Sequence, residues 1–263
     1  MVYFENNNTR SGDYDKQRSH PRPGHADFVA HQKYGGNEDY RGGGHFSARL
    51  TTGLVAAGSI AKKLLNHINN NFTIEARVIE IGGEADTEIG LQRAIDAKDS
   101  VGGLVECRVN GLPAGLGEPF FDSVESQLAH VLFAIPAVKG VEFGSGFAAA
   151  RMFGSAHNDA IEDLEGRTRT NHAGGVVGGI SNGNELVFRL AIKPTASTPK
   201  QQNSLNWETG KTEDFAVRGR HDLCVALRAP VIVEAAAATV LADLAMLEGL
   251  IPRVVVNNKK YQV

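Results

Sequence analysis

Arg22-Pro23-Gly24-His25-Ala26-Asp27 sets an imidazole between a guanidinium and a carboxylate, on a stretch that Pro23 and Gly24 bend into a turn. An imidazole in that setting can serve as a general acid near neutral pH; a plain surface histidine would look the same. Arg41 to Arg49 carries the run Gly42-Gly43-Gly44 into a helix start. Unpaired backbone N–H groups and the helix dipole favour an anion there, and Arg49 can grip a phosphate or carboxylate with both arms of its fork. This is no Walker loop, because no Gly-Lys-Ser/Thr closes it, and no strand pattern precedes it as a dinucleotide fingerprint requires. Arg218-Gly219-Arg220-His221-Asp222 gathers two arginines, a histidine and an aspartate within five residues. Charge runs of this kind are also common as solvated loops. Ala191 to Ser197 leaves a strand with Lys193, Thr195 and Ser197, which can hold a phosphate or ring oxygens or mark an ordinary strand exit. Cys107 and Cys224 lack partners at zinc-site spacing, and neither His-Glu-x-x-His nor Gly-x-Ser-x-Gly occurs, so no metal is expected.

Regular elements must position these segments. Leu50, Leu54, Ala57, Ala61, Leu64, Leu65 and Ile68 recur at helical spacing and predict a helix from about Ser47 to Asn69. Strands are expected at Phe72–Ile81, Gly103–Asn110 and Val138–Phe143. Helices are expected at Asp86–Ala97, capped by Asp86 or Thr87, and at Asp122–Ile135, capped by Asp122. Val176–Ser181 and Glu185–Ile192 read as a hairpin joined at Asn182-Gly183. Residues 193–215 read as a polar loop, and Ala229–Glu248 as an alanine-rich helix with Pro230 in its first turn. Residues 1–44 read as an irregular active-site loop region and 249–263 as a peripheral tail, within one domain spanning 1–263. Strands and helices follow no regular βαβ rhythm, so the expected class is α+β.

The chain has 263 residues and a net charge of −3. That length supports a sizeable core, and that charge implies no general affinity for nucleic acid or anionic membrane. Two cysteines make no disulfide framework. No apolar run reads as long enough to span a bilayer, and the first 22 residues show no signal-peptide pattern. A cytoplasmic location is expected. Thirty glycines fit tight turns, or backbone wrapped closely around a ligand.

Several of these segments together resemble the chorismate synthase family. Arg22 to Asp27, Lys33-Tyr34-Gly35-Gly36 and Asp39-Tyr40-Arg41-Gly42-Gly43-Gly44 form its long signature, and His45-Phe46-Ser47-Ala48-Arg49 looks like a variant of its Arg-Ser-Ser-Ala-Arg. Gly111 to Pro119, Ala137 to Glu142, Asn171 to Ser181, Lys193-Pro194-Thr195 and Gly219-Arg220-His221-Asp222 follow in the family's order. The resemblance implies a β-α-β sandwich fold, here incomplete at the N-terminus, and a homotetramer in the full-length form. It implies an anti 1,4-elimination of phosphate from 5-enolpyruvylshikimate 3-phosphate to give chorismate, needing reduced FMN, with NADPH as a flavin reductant. Carried over by motif, His25 and Asp222 are catalytic. His45, Phe46, Ser47, Pro136, Ala137, Gly178, Lys193, Pro194, Thr195, Ala196, Ser197 and Arg220 hold the flavin. Arg22 and Arg49 hold substrate.

Three departures bear on that reading. Pro136 stands where many members carry Asn, and Leu223 where they carry Pro. The family's opening Gly-Glu-Ser-His-Gly motif and the arginine-rich stretch after it are absent from this sequence. The family histidine in that motif protonates the leaving phosphate. The expected alternative is therefore a catalytically impaired flavin- or anion-binding fragment of the same family.

Overall fold

Alternation decides the sheet. In Leu186–Ile192, Leu186, Phe188, Leu190 and Ile192 are buried, while Arg189 and Ala191 turn to the other face. A computed structural model describes residues 2–5, 19–39, 41–217 and 222–252. It contains β1 (Thr73–Ile81), β2 (Gly103–Asn110), β3 (Val138–Phe143), β4 (Val176–Val177), β5 (Ile180–Ser181), β6 (Leu186–Ile192), β7 (Gln202–Leu205) and β8 (Thr212–Phe215). The helices are α1 (Asp27–Tyr34), α2 (Thr51–Leu65), α3 (Thr87–Ala97), α4 (Val124–Phe133), α5 (Gly154–His157) and α6 (Ala229–Leu247). The main sheet is antiparallel, in the order β1-β2-β6-β3. The class is α+β, as the sequence implies.

The core lies between that sheet and α2, α4 and α6. Val105, Cys107 and Val109 of β2 and Phe188 and Leu190 of β6 meet Leu65, Leu128, Leu132 and Leu241 there. Helices α2 and α6 approach closely because Gly58 lies against Ala235: a Cβ on Gly58 would come within 2.8 Å of the Ala235 carbonyl oxygen. On the opposite face, charges alternate across all four strands, since Arg77 pairs with Glu106, Glu106 with Arg189, and Arg189 with Glu142 in register. Glu106 is buried and accepts from Arg108 Nε at 2.8 Å, Arg189 Nε at 3.0 Å and an Arg77 terminal nitrogen at 3.3 Å. A buried carboxylate is tolerable only when paired in this way.

Five expectations need correction. Residues 1–44 are not wholly irregular, for α1 lies inside them; only Ala30 of that helix is buried, so it shows no apolar stripe. The cap of α4 is Ser123, whose extended backbone lets Oγ accept from Ser126 N, while Asp122 ends a preceding 3-10 turn. The small hairpin is β4–β5, turning at Gly178 and Gly179, both at positive φ, and β6 joins the main sheet instead. Two consecutive left-handed residues are what a tight two-residue hairpin demands, and paired glycines meet that demand. Residues 193–215 contain the hairpin β7–β8. Finally, Val225–Leu247 is long and apolar enough to cross a membrane, yet eleven residues of α6 are buried in the core. Alanine-rich composition suits a central helix packed on several sides. The expected tail from 253 onward lies outside the described residues.

Candidate active site

The loop before α1 is tied together by one carboxylate. Asp27 accepts from Arg22 Nε at 2.7 Å, from an Arg22 terminal nitrogen at 2.8 Å and from the Arg22 backbone N–H at 3.0 Å. His25 Nδ1 lies 2.6 Å from Asp27 Oδ1. Burial works to raise the Asp27 pKa, but the hydrogen bonds from Arg22 and His25 and their charges outweigh it and hold it well below the usual carboxylate range. With Nδ1 occupied, His25 Nε2 turns toward Gly43, where a Cβ would lie 3.6 Å from it and 3.7 Å from the Ser47 Cβ. Gly43 thus brings the glycine turn and Ser47 against His25. The expected helix start is two-stage: Ser47 caps a 3-10 turn, Ala48–Leu50, that leads into α2.

The segment after β6 completes the cluster. Ser197 Oγ accepts from Arg22 at 3.2 Å, and Lys193 Nζ donates to the Gly24 carbonyl at 3.0 Å. Gly24 also lies beside Ala196. Lys193 N donates to the Ala137 carbonyl at 2.9 Å, which brings in Pro136 and Ala137. Ala137 sits at φ 75, a strained setting for a residue with a Cβ. Burial, and then the charge of Lys139, hold the Lys193 pKa below the ordinary lysine value. Among the described residues Lys193 makes no ion pair, and Thr195 Oγ1 is buried without a hydrogen-bond partner. An unpaired half-buried cation beside an orphaned hydroxyl is a place for an anionic ligand with acceptor oxygens. These residues therefore fit a phosphate-bearing group such as FMN.

The other expected positions are more peripheral. His45, Phe46 and Arg49 are exposed on the turn before α2. Asp222 pairs with Arg228 at 2.7 Å. Its neighbour Leu223 accepts from Val101 N, and Ser100 Oγ in turn donates to the Thr195 carbonyl, so residues 99–102 bridge it to the cluster. Gly178 is the exception: it turns β4–β5, which packs by Gly179 on Glu118 and Ser123, and no contact joins it to His25 or Lys193 among the described residues. Arg220 lies outside the described residues. A cavity of about 270 Å³ lined by Lys62, Asn66, Phe72 and Glu75 lies between α2 and β1 and contains none of these residues.

Sequence reasoning missed the parts that hold the loop from outside. Ser204 Oγ donates to the Pro21 carbonyl, Trp207 N donates to the Ser19 carbonyl at 2.9 Å, and His20 stacks on Phe215 at 5.3 Å. Short alternation at Gln202–Leu205 and Thr212–Phe215 was the available signal, muted because the hairpin packs on the 19–38 segment and lies outside the main core.

The fold and this cluster define a family-level comparison. The chorismate synthase family profile matches residues 1–246. A chorismate synthase of Chitinophaga pinensis is 65% identical over 256 residues, covering 97% of this chain and 76% of its own length. One from Dehalococcoides mccartyi is 44% identical over 279 residues, covering 95% of this chain and 76% of its own. A crystal structure of chorismate synthase matches with a TM-score of 0.65 at 27% identity, covering 83% of this chain and 69% of that one. The chain belongs to the chorismate synthase family of lyases.

Proposed function

We propose that this chain converts 5-enolpyruvylshikimate 3-phosphate into chorismate and phosphate, with reduced FMN and substrate bound around Arg22, His25 and Lys193. The observation that carries the reading is Lys193: a half-buried cation with no ion pair among the described residues, held against Gly24 on the Arg22–His25 loop, with the orphaned Thr195 hydroxyl two residues further along the chain. The substrate brings a phosphate and two carboxylates, and the cofactor another phosphate. Family membership and the matched motifs support the same assignment.

In the reaction the C–O bond to phosphate breaks, a ring proton departs and a second double bond forms, with no net redox change. The chemistry that reduced FMN would supply, if held by these residues, is a transient electron returned before product leaves. The residues of this chain bind, orient and hold protons. Arg22 is fixed by Asp27 and Ser197, so its remaining donor capacity is pre-aimed at an anion. Lys193 and the hydroxyls of Thr195 and Ser197 hold phosphate oxygens. His25 keeps Nε2 toward the site because Asp27 holds Nδ1. Arg49 is assigned to substrate from the exposed turn. Asp222 is assigned to proton transfer, with Arg228 holding its carboxylate. Arg220, His45, Phe46, Pro136, Ala137 and Gly178 remain assigned to the flavin, and a homotetramer is the proposed assembly.

The test is an anaerobic assay of phosphate and chorismate release from 5-enolpyruvylshikimate 3-phosphate with photoreduced FMN. Stoichiometric release of both is expected. Perturbation of the reduced flavin without product would reject the elimination and leave a binding fragment.

A further inference from the structure

The loop that carries Arg22 and His25 has little hold on the core. Helix α1 follows it, starting at Asp27, the residue that orients His25. Of the eight residues in α1, only Ala30 is buried. Two rings of α1 meet a single indole. Phe28 stacks on Trp207 with ring centroids 5.4 Å apart and planes 7° apart. His31, one turn further on, meets the same ring at 4.6 Å. Residues at i and i+3 share a helix face, so Trp207 covers one face of α1 with its side chain. Its backbone N–H holds Ser19 at the other end of the loop.

The platform bearing Trp207 is built to keep it still. Asn206 is buried; its side chain accepts from Glu208 N at 2.9 Å and donates to Glu213 at 3.0 Å. The turn closes by Asn206 N donating to the Lys211 carbonyl at 2.8 Å. The hairpin meets the loop again at Ser204–Pro21 and at the His20–Phe215 stack. His31 is further held by Glu38 at 3.1 Å. The loop is thus gripped before Arg22 and after Asp27, and its two grips converge on Trp207.

We propose that Trp207 is a positioning residue for the reaction: by seating α1 through Phe28 and His31, it fixes Asp27 and so the aim of His25 and Arg22. The part concerning catalysis rests on the function proposed above; the mechanical part does not. Stacked aromatic contacts are geometrically specific, and a misplacement of about 1 Å can lower a rate about a hundredfold.

The experiment compares wild type, Trp207→Ala, Trp207→Phe and Phe28→Ala in two readouts. Amide hydrogen exchange is expected to speed up at least about tenfold across residues 22–34 in Trp207→Ala and Phe28→Ala. It should be restored in Trp207→Phe and unchanged in β2 and β6. In the anaerobic assay, kcat for Trp207→Ala should fall about a hundredfold with a smaller change in KM, and Trp207→Phe should recover most of it. Unchanged exchange in 22–34 for both alanine variants overturns the clamp. Faster exchange with undiminished kcat overturns its role in positioning. Failure of wild type to turn over would sink the proposed function alone, because exchange still decides the clamp. If Trp207→Ala does not fold, Phe28→Ala decides, since it removes a half-exposed ring from the far side of the same stack.

Discussion

Replacing Lys193 with Met separates a ligand-binding cation from a structural one. Two effects in the free protein oppose each other. The variant loses the hydrogen bond from Nζ to the Gly24 carbonyl at 3.0 Å. A neutral-acceptor bond of this kind, at a half-buried residue where water can still reach the acceptor, contributes about 1 kcal/mol. The variant also loses a charge that burial and Lys139 both disfavour. The Lys193 pKa is depressed on folding, so over the window just below the ordinary lysine value the unfolded chain binds more protons. Stability there rises with pH, and at neutral pH the penalty of keeping the ammonium is present in full. The two effects nearly cancel, and Tm should stay within a few degrees of wild type. Binding behaves differently. A charge-assisted hydrogen bond to a phosphate or carboxylate is worth about 1.5–3 kcal/mol, about 10- to 150-fold in Kd. Anaerobic titration with reduced FMN and substrate should therefore show at least tenfold weaker binding for Lys193→Met with an unaltered melt. Wild-type affinity, or a large loss of Tm with normal affinity, would refute the argument that this cation awaits an anion.

Asp27→Asn should lower turnover sharply, and differential scanning should show its stability deficit narrowing as pH falls from 5 toward 2. The Asp27 pKa is depressed on folding, so its contribution is complete above the ordinary aspartate value near 4 and is lost as pH falls through the lower folded value. A deficit that grows with acidity would contradict this sign. Glu106→Ala should destabilise by about 3 kcal/mol, the low end for breaking a buried ion pair. Arg108 keeps Glu185, and Arg189 keeps Glu142 and the Gly144 carbonyl; denaturant unfolding measures it, and a loss under about 1 kcal/mol would show the ladder to be solvent-screened. Gly58→Ala sets helix propensity, a gain of about 1 kcal/mol, against collision with Ala235, a loss of about 1–3 kcal/mol. The collision should win, and a raised Tm would show that α2 and α6 can part freely.

How much of this was legible followed burial. Strands β2 and β3 begin and end where their residues predict, because Gly102 and Gly111 punctuate β2 and Gly144 follows β3. Helix α2 showed its apolar stripe, and Asp86 its capping role through bonds to Glu88 and Ile89 N–H groups. Helix α1 and the β7–β8 hairpin were hidden because they pack on each other and on a loop. A surface of Trp207, Phe28 and His31 leaves no periodic pattern in the chain. The His25 and Lys193 segments were legible through motif spacing. Their union was not, since Arg22 and Ser197 meet across a sequence separation of 175. The turn at Gly178-Gly179 was misread because Asn182-Gly183 carries an equally strong local hairpin signal. Only the pairing of Val176 with Ser181 resolves the choice.

The most direct measurement of the central claim is an anaerobic titration of photoreduced FMN, with 5-enolpyruvylshikimate 3-phosphate present, into wild type and into His25→Ala across pH. The account predicts a saturable change in the reduced-flavin spectrum with wild type, and a different pH dependence of that spectrum with His25→Ala. No spectral change with wild type, or superimposable pH profiles for the two proteins, would contradict the placement of flavin and substrate at this cluster.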